Sequence, residues 1–481
     1  MSAPARAAPP VTGGAPARGG AVAVRHLQDV LPARAVVVDP DVLASYRHDE
    51  AHLCPAGEPL VAVLPETTEQ VVQAVRVAAE HGLPIVPQGA RSGLSGGANA
   101  VDGCLVLSLQ RMNKILSVHP ADRHAVVQPG VLNGELAEAA AEVGLSYPPD
   151  PSSRSWCTIG GNIATGAGGL CCVKYGVTGD YVLGLQVVLA DGSVLRTGRQ
   201  TAKGVAGYDL TALFVGSEGT LGIVTEATLA LRPAAEPART LAAVFPTTER
   251  AGAAVTAIVA AGCLPSLLEI LDGATLRAIE DLRPLGIPAH AAALLLAQCD
   301  TGARAEADLE QLAALCRDHG ADEIALASDA AESELLLEAR RLAYPALERL
   351  GAAMVDDVAV PRSRLAEFLS SVERIAERCG LLIGVVGHAG EGNMHPTVVH
   401  ARGDAAAAAA AQRAFDEVMA LGLALGGTIT GEHGIGLLKR DWLEREVGPV
   451  SMRVQHGLKD LLDPAGLMNP GKVLRRRAVT A

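Results

Sequence analysis

Aromatic side chains are nearly absent: Phe, Trp and Tyr together make up 2% of 481 residues. So few rings cannot build the stacking platforms on which nucleic-acid bases lie. Positive charge is scarce too. The formal net charge is −13, and the one basic cluster is Arg475, Arg476 and Arg477. Nucleic acid is therefore excluded as a partner. An acidic protein that takes an acidic small molecule must concentrate positive charge locally, so any cationic pocket is informative. Long hydrophobic runs are missing. None reaches the roughly 18–20 apolar residues of a membrane span, and Ala291–Ala297 and Ala405–Ala411 are short and alanine-rich. The first twenty residues lack the continuous apolar stretch of a secretory signal. Their Ala, Pro and Gly content predicts a disordered tail, drawn here as residues 1–22. Regularly spaced cysteines are missing as well. The nine are odd in number and scattered, which fits reduced thiols and a cytoplasmic location, with membrane contact only through a partner. No closely spaced set could hold an iron–sulfur cluster. Cys171 and Cys172 read as small residues filling a tight space.

Apolar residues make up 49% of the chain, enough for two or three cores. From Leu60 the pattern is strand, helix, strand. Leu60–Leu64 is apolar, a Thr at 67 or 68 can cap a helix through His81, and Leu83–Pro87 opens the next strand. Further strands are expected at Leu105–Leu109, Ala125–Gln128, Val182–Ala190 and Ala227–Leu231, with a hairpin turn at Asp191-Gly192. The Pro-rich stretch after Leu231 marks a boundary. Beyond it helices and strands alternate, which predicts an α+β layer with helices on one face of a sheet. A helix over Glu332–Leu350 should be kinked by Pro345. Met354–Val360 reads as one strand and Asp404–Leu425 as a long helix. The divisions that follow are a first domain over 23–235, a second over 236–413 and a helical C-terminal segment over 414–481.

Three glycine-rich loops lie at Gly89–Gly97, within Pro148–Gly169 and at Gly216–Val224. Glycine costs conformational entropy, so it clusters where backbone must turn sharply or approach a ligand. Runs of backbone N–H groups there cradle anions. The first loop, with Ser92 and Ser95 among its glycines, suits a pyrophosphate. It is not a P-loop, because no Lys-Ser/Thr pair follows, and it is not the GxGxxG of a Rossmann unit.

A second dense stretch is GHAGEGNMH, residues Gly387–His395, joined by GEHGIG at Gly431–Gly436. His388 and His395 flank a tight loop between two expected strands. With Glu432 they would make a two-His, one-carboxylate set with an open position, suited to zinc or a similar divalent ion. His433 could then face a substrate, and Glu391 reads as an outer or solvent group. A lone strand histidine is usually core, and spacing alone leaves metal binding and plain packing evenly matched.

The ordered set PQGARSGLSGGA, PPDPSS, TIGGNIATGAGG, KYGVTGDYVLGLQVVLADG and GSEGTLGIVTEATLAL resembles the vanillyl-alcohol-oxidase-type (PCMH-type) FAD-binding fold. With the C-terminal motifs, the chain from Arg47 to Leu474 resembles one branch of it. That branch holds the FAD-linked D-lactate dehydrogenases, the D-2-hydroxyglutarate dehydrogenases and the glycolate oxidase catalytic subunit. The resemblance implies that Gly89, Ala90, Arg91, Ser92, Gly93, Leu94, Ser95, Gly96 and Gly97 wrap the FAD pyrophosphate. It implies that Pro149, Asp150, Thr158, Ile159, Gly160, Gly161, Ala164, Thr165, Gly168, Gly169 and Gly176 line the cofactor. Gly222, Ile223 and Val224 would contact its adenine or ring region, and Asn469 would return to the same domain. No His lies between His81 and His119, so FAD is expected to be non-covalent, although Cys157 is near a position where some relatives attach flavin.

The same resemblance makes His388, His395 and Glu432 metal ligands, His433 the catalytic base and Arg340 the carboxylate-binding arginine. A planar guanidinium suits that role, while Arg341 is as readily a solvated helical charge. The implied reaction is oxidation of a small D-2-hydroxy acid, with hydride transfer to flavin N5 and electrons passed to an external acceptor. Leu337 departs from the family's Trp three places before the arginine. Met354–Val360 carries no Lys or Arg, which favours D-lactate or glycolate over a dicarboxylate. The alternatives are a glycolate oxidase subunit with partner subunits, an ether-lipid-synthase-like flavoenzyme and, from another class, a metal-dependent hydrolase. The hydrolase leaves the three glycine loops unexplained. A homodimer is the default assembly.

Overall fold

The computed structural model describes residues 20–475. The tail expected over 1–22 lies outside the described residues up to 19, as do Arg476 and Arg477. Gly20–Val22 depart from that expectation. They open a helix, Gly20–Val30, whose Ala23 and Leu27 are buried against the helix Thr68–His81.

Besides one short antiparallel pair, Leu145–Ser146 with Arg232–Pro233, the first half contains two larger sheets. In one, Val61–Val63 and Ile85–Gln88 both run parallel to Leu105–Ser108, and Val36–Val37 adds an antiparallel edge. The crossover between the first two is the Thr68–His81 helix. Thr67 accepts from Gln70 N–H at its start, and Gly82, at φ 63°, ends it in the left-handed region. The other sheet is antiparallel, in the order Ile115–His119, His124–Val127, Ile223–Ala230, Val182–Val188, Val194–Gly198. Its last pair is the hairpin turned at Asp191-Gly192.

The second domain, the cap, is an eight-stranded antiparallel sheet. Its order is Glu323–Leu326, Arg239–Phe245, Ala293–Cys299, Leu267–Asp272, Leu382–His388, Asn393–His400 and Ala352–Val355, with Val358–Ala359 also pairing to Asn393–His400. Helices cover both faces, not one. Leu241, Ala243, Phe245, Leu295 and Ala297 pack with Val255, Leu312, Phe368 and Phe415 on one side. Ala242, Val244, Leu294 and Leu296 pack with Leu276, Ile279, Ala343 and Leu347 on the other. Runs such as Leu241–Phe245 are apolar at every position because both faces are dry. The helix Ala405–Ala424 crosses the boundary drawn at 413, and its Ala411, Phe415 and Val418 belong to the cap core.

Two further expectations are corrected. The helix over Glu332–Leu350 is two helices, Ala330–Leu336 and Glu338–Glu348. The break falls at Leu337, while Pro345 sits inside the second helix and forfeits one hydrogen bond there. Arg340 thereby lies in a helical first turn. The strand Met354–Val360 is interrupted at Asp356 and Asp357, yet the pieces keep one register: Val355 faces Thr397 and Val358 faces Met394. Asp356 donates its N–H to Pro396 O at 2.8 Å, and the proline has no N–H to return, so the ladder lapses there.

Candidate active site

A cleft of about 1080 Å³ opens between the two halves. Its cofactor-side wall holds Gly89, Ala90, Arg91, Ser92, Gly93, Leu94, Ser95 and Gly97 from the first loop. Asp150, Thr158, Gly160, Gly161, Ala164 and Thr165 come from the second, and Gly222, Ile223 and Val224 from the third. The other sequence-predicted residues do not line it. Ile159 is fully buried in the core, the Pro149 carbonyl accepts from Asn133 Nδ2, and Gly96 packs on Cys54. Gly169 and Gly176 pack on Asp150 and Asp180, while Gly168 abuts Glu432, whose Oε2 a Cβ there would meet at 2.5 Å. Asn469 acts one step back, donating its side-chain amide to Gly97 O at 2.9 Å and Glu218 O at 2.7 Å.

The loops abut so closely that side chains are excluded. A Cβ on Gly89 would lie 2.3 Å from Thr158 Oγ1, and one on Gly160 would lie 2.6 Å from Pro129 Cβ. Arg91 is held at φ 63°, and its Nη1 is buried with no protein partner, as is Asn162 Nδ2. Buried unpaired donors facing a glycine-lined cleft suit an anionic, polar ligand such as a dinucleotide. Nine free cysteines form no disulfide, and Cys157, 1% exposed, does not line the cleft.

The cap-side wall carries the other chemistry: Arg340, Arg341, Tyr344, Val355, Val386, His395, Thr397, Glu432 and His433. His388 and His395 come from the hairpin of Leu382–His388 and Asn393–His400, where His395 pairs with Val386. Positions 386 and 388 share a face, so both imidazoles emerge on one side. Their Nε2 atoms each stand 3.2 Å from Glu432 Oε1. His433 stacks on His395 with centroids 4.9 Å apart, and its Nε2 is 3.9 Å from Glu432 Oε1.

Burial pushes the His433 imidazole down to about 4, so it is neutral across the physiological range. Burial also works against charge on His388 and Glu432, but each is overcome by its partners. Glu269 and Glu432 hold His388 well above the imidazole range, and His388 and His395 hold Glu432 well below the carboxylate range. Glu391, at the hairpin tip, is raised to about 7 by burial. Two imidazoles and one carboxylate converging within one ligand sphere fit a divalent ion.

A second set, Asp357, His395 and His433, overlaps the first. Within it Asp357 Oδ1 and His395 Nδ1 are buried without a hydrogen-bond partner, whereas Asp357 Oδ2 already accepts four bonds. These come from Thr430 Oγ1 and from the N–H groups of Gly431, Glu432 and His433, at 2.7 to 3.0 Å. Asp357 therefore holds the GEHGIG loop. Lys439, also buried, donates to Asp357 O and Ile429 O and pairs with Asp356 Oδ1 at 3.1 Å. From the other domain, Glu218 accepts from Ile435 and Gly436 N–H, tying the same loop to the third glycine loop. Sequence reasoning missed Asp357, Lys439, Glu218 and Glu269. For Asp357 and Glu269 the one signal was an acid set inside an apolar run; Glu218, within the third glycine loop, and Lys439, followed by Arg440 and Asp441, carry no such signal. Replacing Asp357 by Ala would strand four donors, so we expect a loss of about 3–5 kcal/mol in stability, the cost of breaking a buried charged network. Thermal unfolding monitored by circular dichroism would show it.

A glycine-lined cleft suited to a dinucleotide, closed by a cap that presents a neutral imidazole, fits a flavin-dependent oxidoreductase. The comparisons agree. Residues 59–198 match the family described as "FAD binding domain", and residues 234–473 match "FAD linked oxidases, C-terminal domain". Glycolate oxidase subunit GlcD of Bacillus subtilis is 42% identical over 422 residues, covering 87% of this chain and 90% of its own. The D-lactate dehydrogenase of Anaerostipes hadrus is 34% identical over 465 residues, covering 94% and 96%. Among solved structures, p-cresol methylhydroxylase superposes with a TM-score of 0.80 at 19% identity, covering 95% of this chain and 96% of that one. The chain belongs to the family of FAD-linked 2-hydroxyacid dehydrogenases and oxidases. Among the described residues, no helix is long and apolar enough to cross a membrane.

Proposed function

We propose that this protein oxidises a small D-2-hydroxy acid, D-lactate or glycolate, to the 2-oxo acid, using non-covalent FAD and a divalent metal such as zinc. The observation that carries the reading is the convergence of His395, Glu432, His433 and Arg340 on the wall facing the glycine loops, with His388 buried behind them and its Nε2 3.2 Å from Glu432 Oε1. Bound FAD would accept the Cα hydride at N5 and pass the electrons to an external acceptor. A divalent ion held by His388, His395 and Glu432 would lower the hydroxyl pKa. The Arg340 guanidinium grips the substrate carboxylate. His433, neutral and stacked on His395, takes the hydroxyl proton at Nε2. Leu170, Val355 and Val386 make that end of the cleft apolar, and Arg341 is already paired with Glu334. Arg91 and Arg154, the other described cations lining the cleft, belong to the cofactor-side loops, so the cap-side wall offers Arg340 for one carboxylate, which favours a monocarboxylate. The glycolate oxidase subunits among the relatives make partner subunits part of the proposal.

The pH profile tests the base. A base works only when deprotonated, so kcat/KM falls as pH drops through its pKa. With His433 depressed to about 4 against an ordinary 6.5, kcat/KM for D-lactate should stay level from neutrality down past 6 and fall only near 4. A fall centred near 6.5 would mean that His433 is solvated or that another group is the base.

A further inference from the structure

Glu269 is a fully buried acid in the apolar strand Leu267–Asp272, and both of its oxygens are engaged. Oε1 stands 2.6 Å from His388 Nδ1, and Oε2 accepts from Arg340 Nε at 2.6 Å. The first contact is set by the sheet, because Glu269 and His388 are register partners on adjacent antiparallel strands. The second is set by the Glu338–Glu348 helix, which packs on the same face and brings Arg340 down to it.

We propose that Glu269 is a positioning residue that joins the metal ligand His388 to the carboxylate-gripping Arg340. Ion affinity and substrate affinity then depend on one buried side chain. The proposal rests on the reading of His388, His395 and Glu432 as metal ligands.

A neutral imidazole carries one N–H. Without an ion, Glu269 and Glu432 favour a proton on each nitrogen of His388; a bound ion would displace the one on Nε2, and the acceptor held against Nδ1 keeps the other there, so that Nε2, on the side where Glu432 Oε1 lies, is the ligating atom. His395 is arranged alike, with Nε2 toward Glu432 and Nδ1 toward Asp357 Oδ1, though at 3.7 Å. Its backing is therefore looser, and His388 is the ligand whose tautomer is firmly set. On the other side, Nε is one of five guanidinium N–H donors. Bonding it to Glu269 fixes the plane of the group and leaves the terminal nitrogens for a ligand carboxylate. Arg340 lines the cleft while Glu269 does not, so Glu269 acts only through its two partners.

A carboxylate can accept from both partners, and an amide cannot. In Glu269→Gln the oxygen can serve one partner, and the NH2 must then face the other. Facing His388, it would require an unprotonated Nδ1 and so move the proton to Nε2, where it blocks ligation. Facing Arg340, it would set donor against donor.

The test compares wild type, Glu269→Gln and Glu269→Asp, the last keeping the charge but too short to reach both partners. Each is purified with flavin, stripped of metal and titrated with Co²⁺, read from its absorption bands. KM for D-lactate, flavin content and thermal midpoint are measured alongside. We expect full flavin content in all three. Glu269→Gln should weaken Co²⁺ binding about 10–100-fold and raise KM about 10-fold, the worth of one hydrogen bond to a charged group. Glu269→Asp should lose at least one of the two. Wild-type values for both quantities in either well-folded variant would overturn the proposal. Should Glu269→Gln fail to fold, Glu269→Asp decides alone. A wild-type protein that binds no Co²⁺ would instead remove the ligand assignment, and the proposal with it.

Discussion

Replacing His433 by Asn is expected to leave a yellow protein that its substrate barely reduces. The side chain keeps much of the imidazole's bulk but cannot accept the hydroxyl proton. General-base help is worth about 10²–10⁴-fold, so the anaerobic rate of flavin reduction should fall by that factor. Flavin content should not change, because the three glycine loops line the opposite wall and His433 sits across the cleft on the cap side. The loop itself is held by Asp357 through its backbone N–H groups, not through the His433 ring. A colourless protein would mean that His433 supports the cofactor. Near-normal reduction would mean that the base lies elsewhere.

Removing the metal should have a comparable effect. Polarisation of a substrate oxygen by a bound ion is worth several kcal/mol, so chelation or His395→Ala should cost about 10²-fold or more in turnover. Chelation is the cleaner of the two. His395→Ala also removes the ring on which His433 stacks, and it leaves Glu432 with one imidazole fewer. Adding back a divalent ion should restore the chelated wild type but not the variant. Turnover that persists after metal is shown to be absent by elemental analysis would remove the ion from the account.

Much of the site was legible in the sequence, for a physical reason. Backbone that must turn sharply or meet a ligand needs glycine at fixed offsets, and those offsets survive as a linear pattern. The two imidazoles were legible because one short hairpin sets their distance. What was not legible depends on neighbours far apart in the chain. Glu269 and His388 meet through strand register, 119 residues apart, and Asp357 reaches the GEHGIG loop across more than 70 residues. Neither pairing leaves a local trace beyond an acid in an apolar run. The cap's two covered faces were a different kind of miss. The signal lies in runs such as Leu241–Phe245, where alternation is absent; helix–strand alternation by itself does not say how many faces the helices cover. The broken strand at Asp356-Asp357 shows the same limit, since Pro396, the residue that interrupts it, lies on the neighbouring strand. Leu337, the departure from the family's Trp, turned out to be the break that puts Arg340 into a helical first turn.

The most direct measurement is an anaerobic absorbance titration of the purified, metal-replete protein with D-lactate, L-lactate, glycolate and D-2-hydroxyglutarate. The account predicts that D-lactate or glycolate bleaches the flavin band, and that L-lactate and the dicarboxylate do so poorly. A flavin band that none of the four bleaches would contradict it and direct attention to a bulkier substrate or to chemistry without net oxidation.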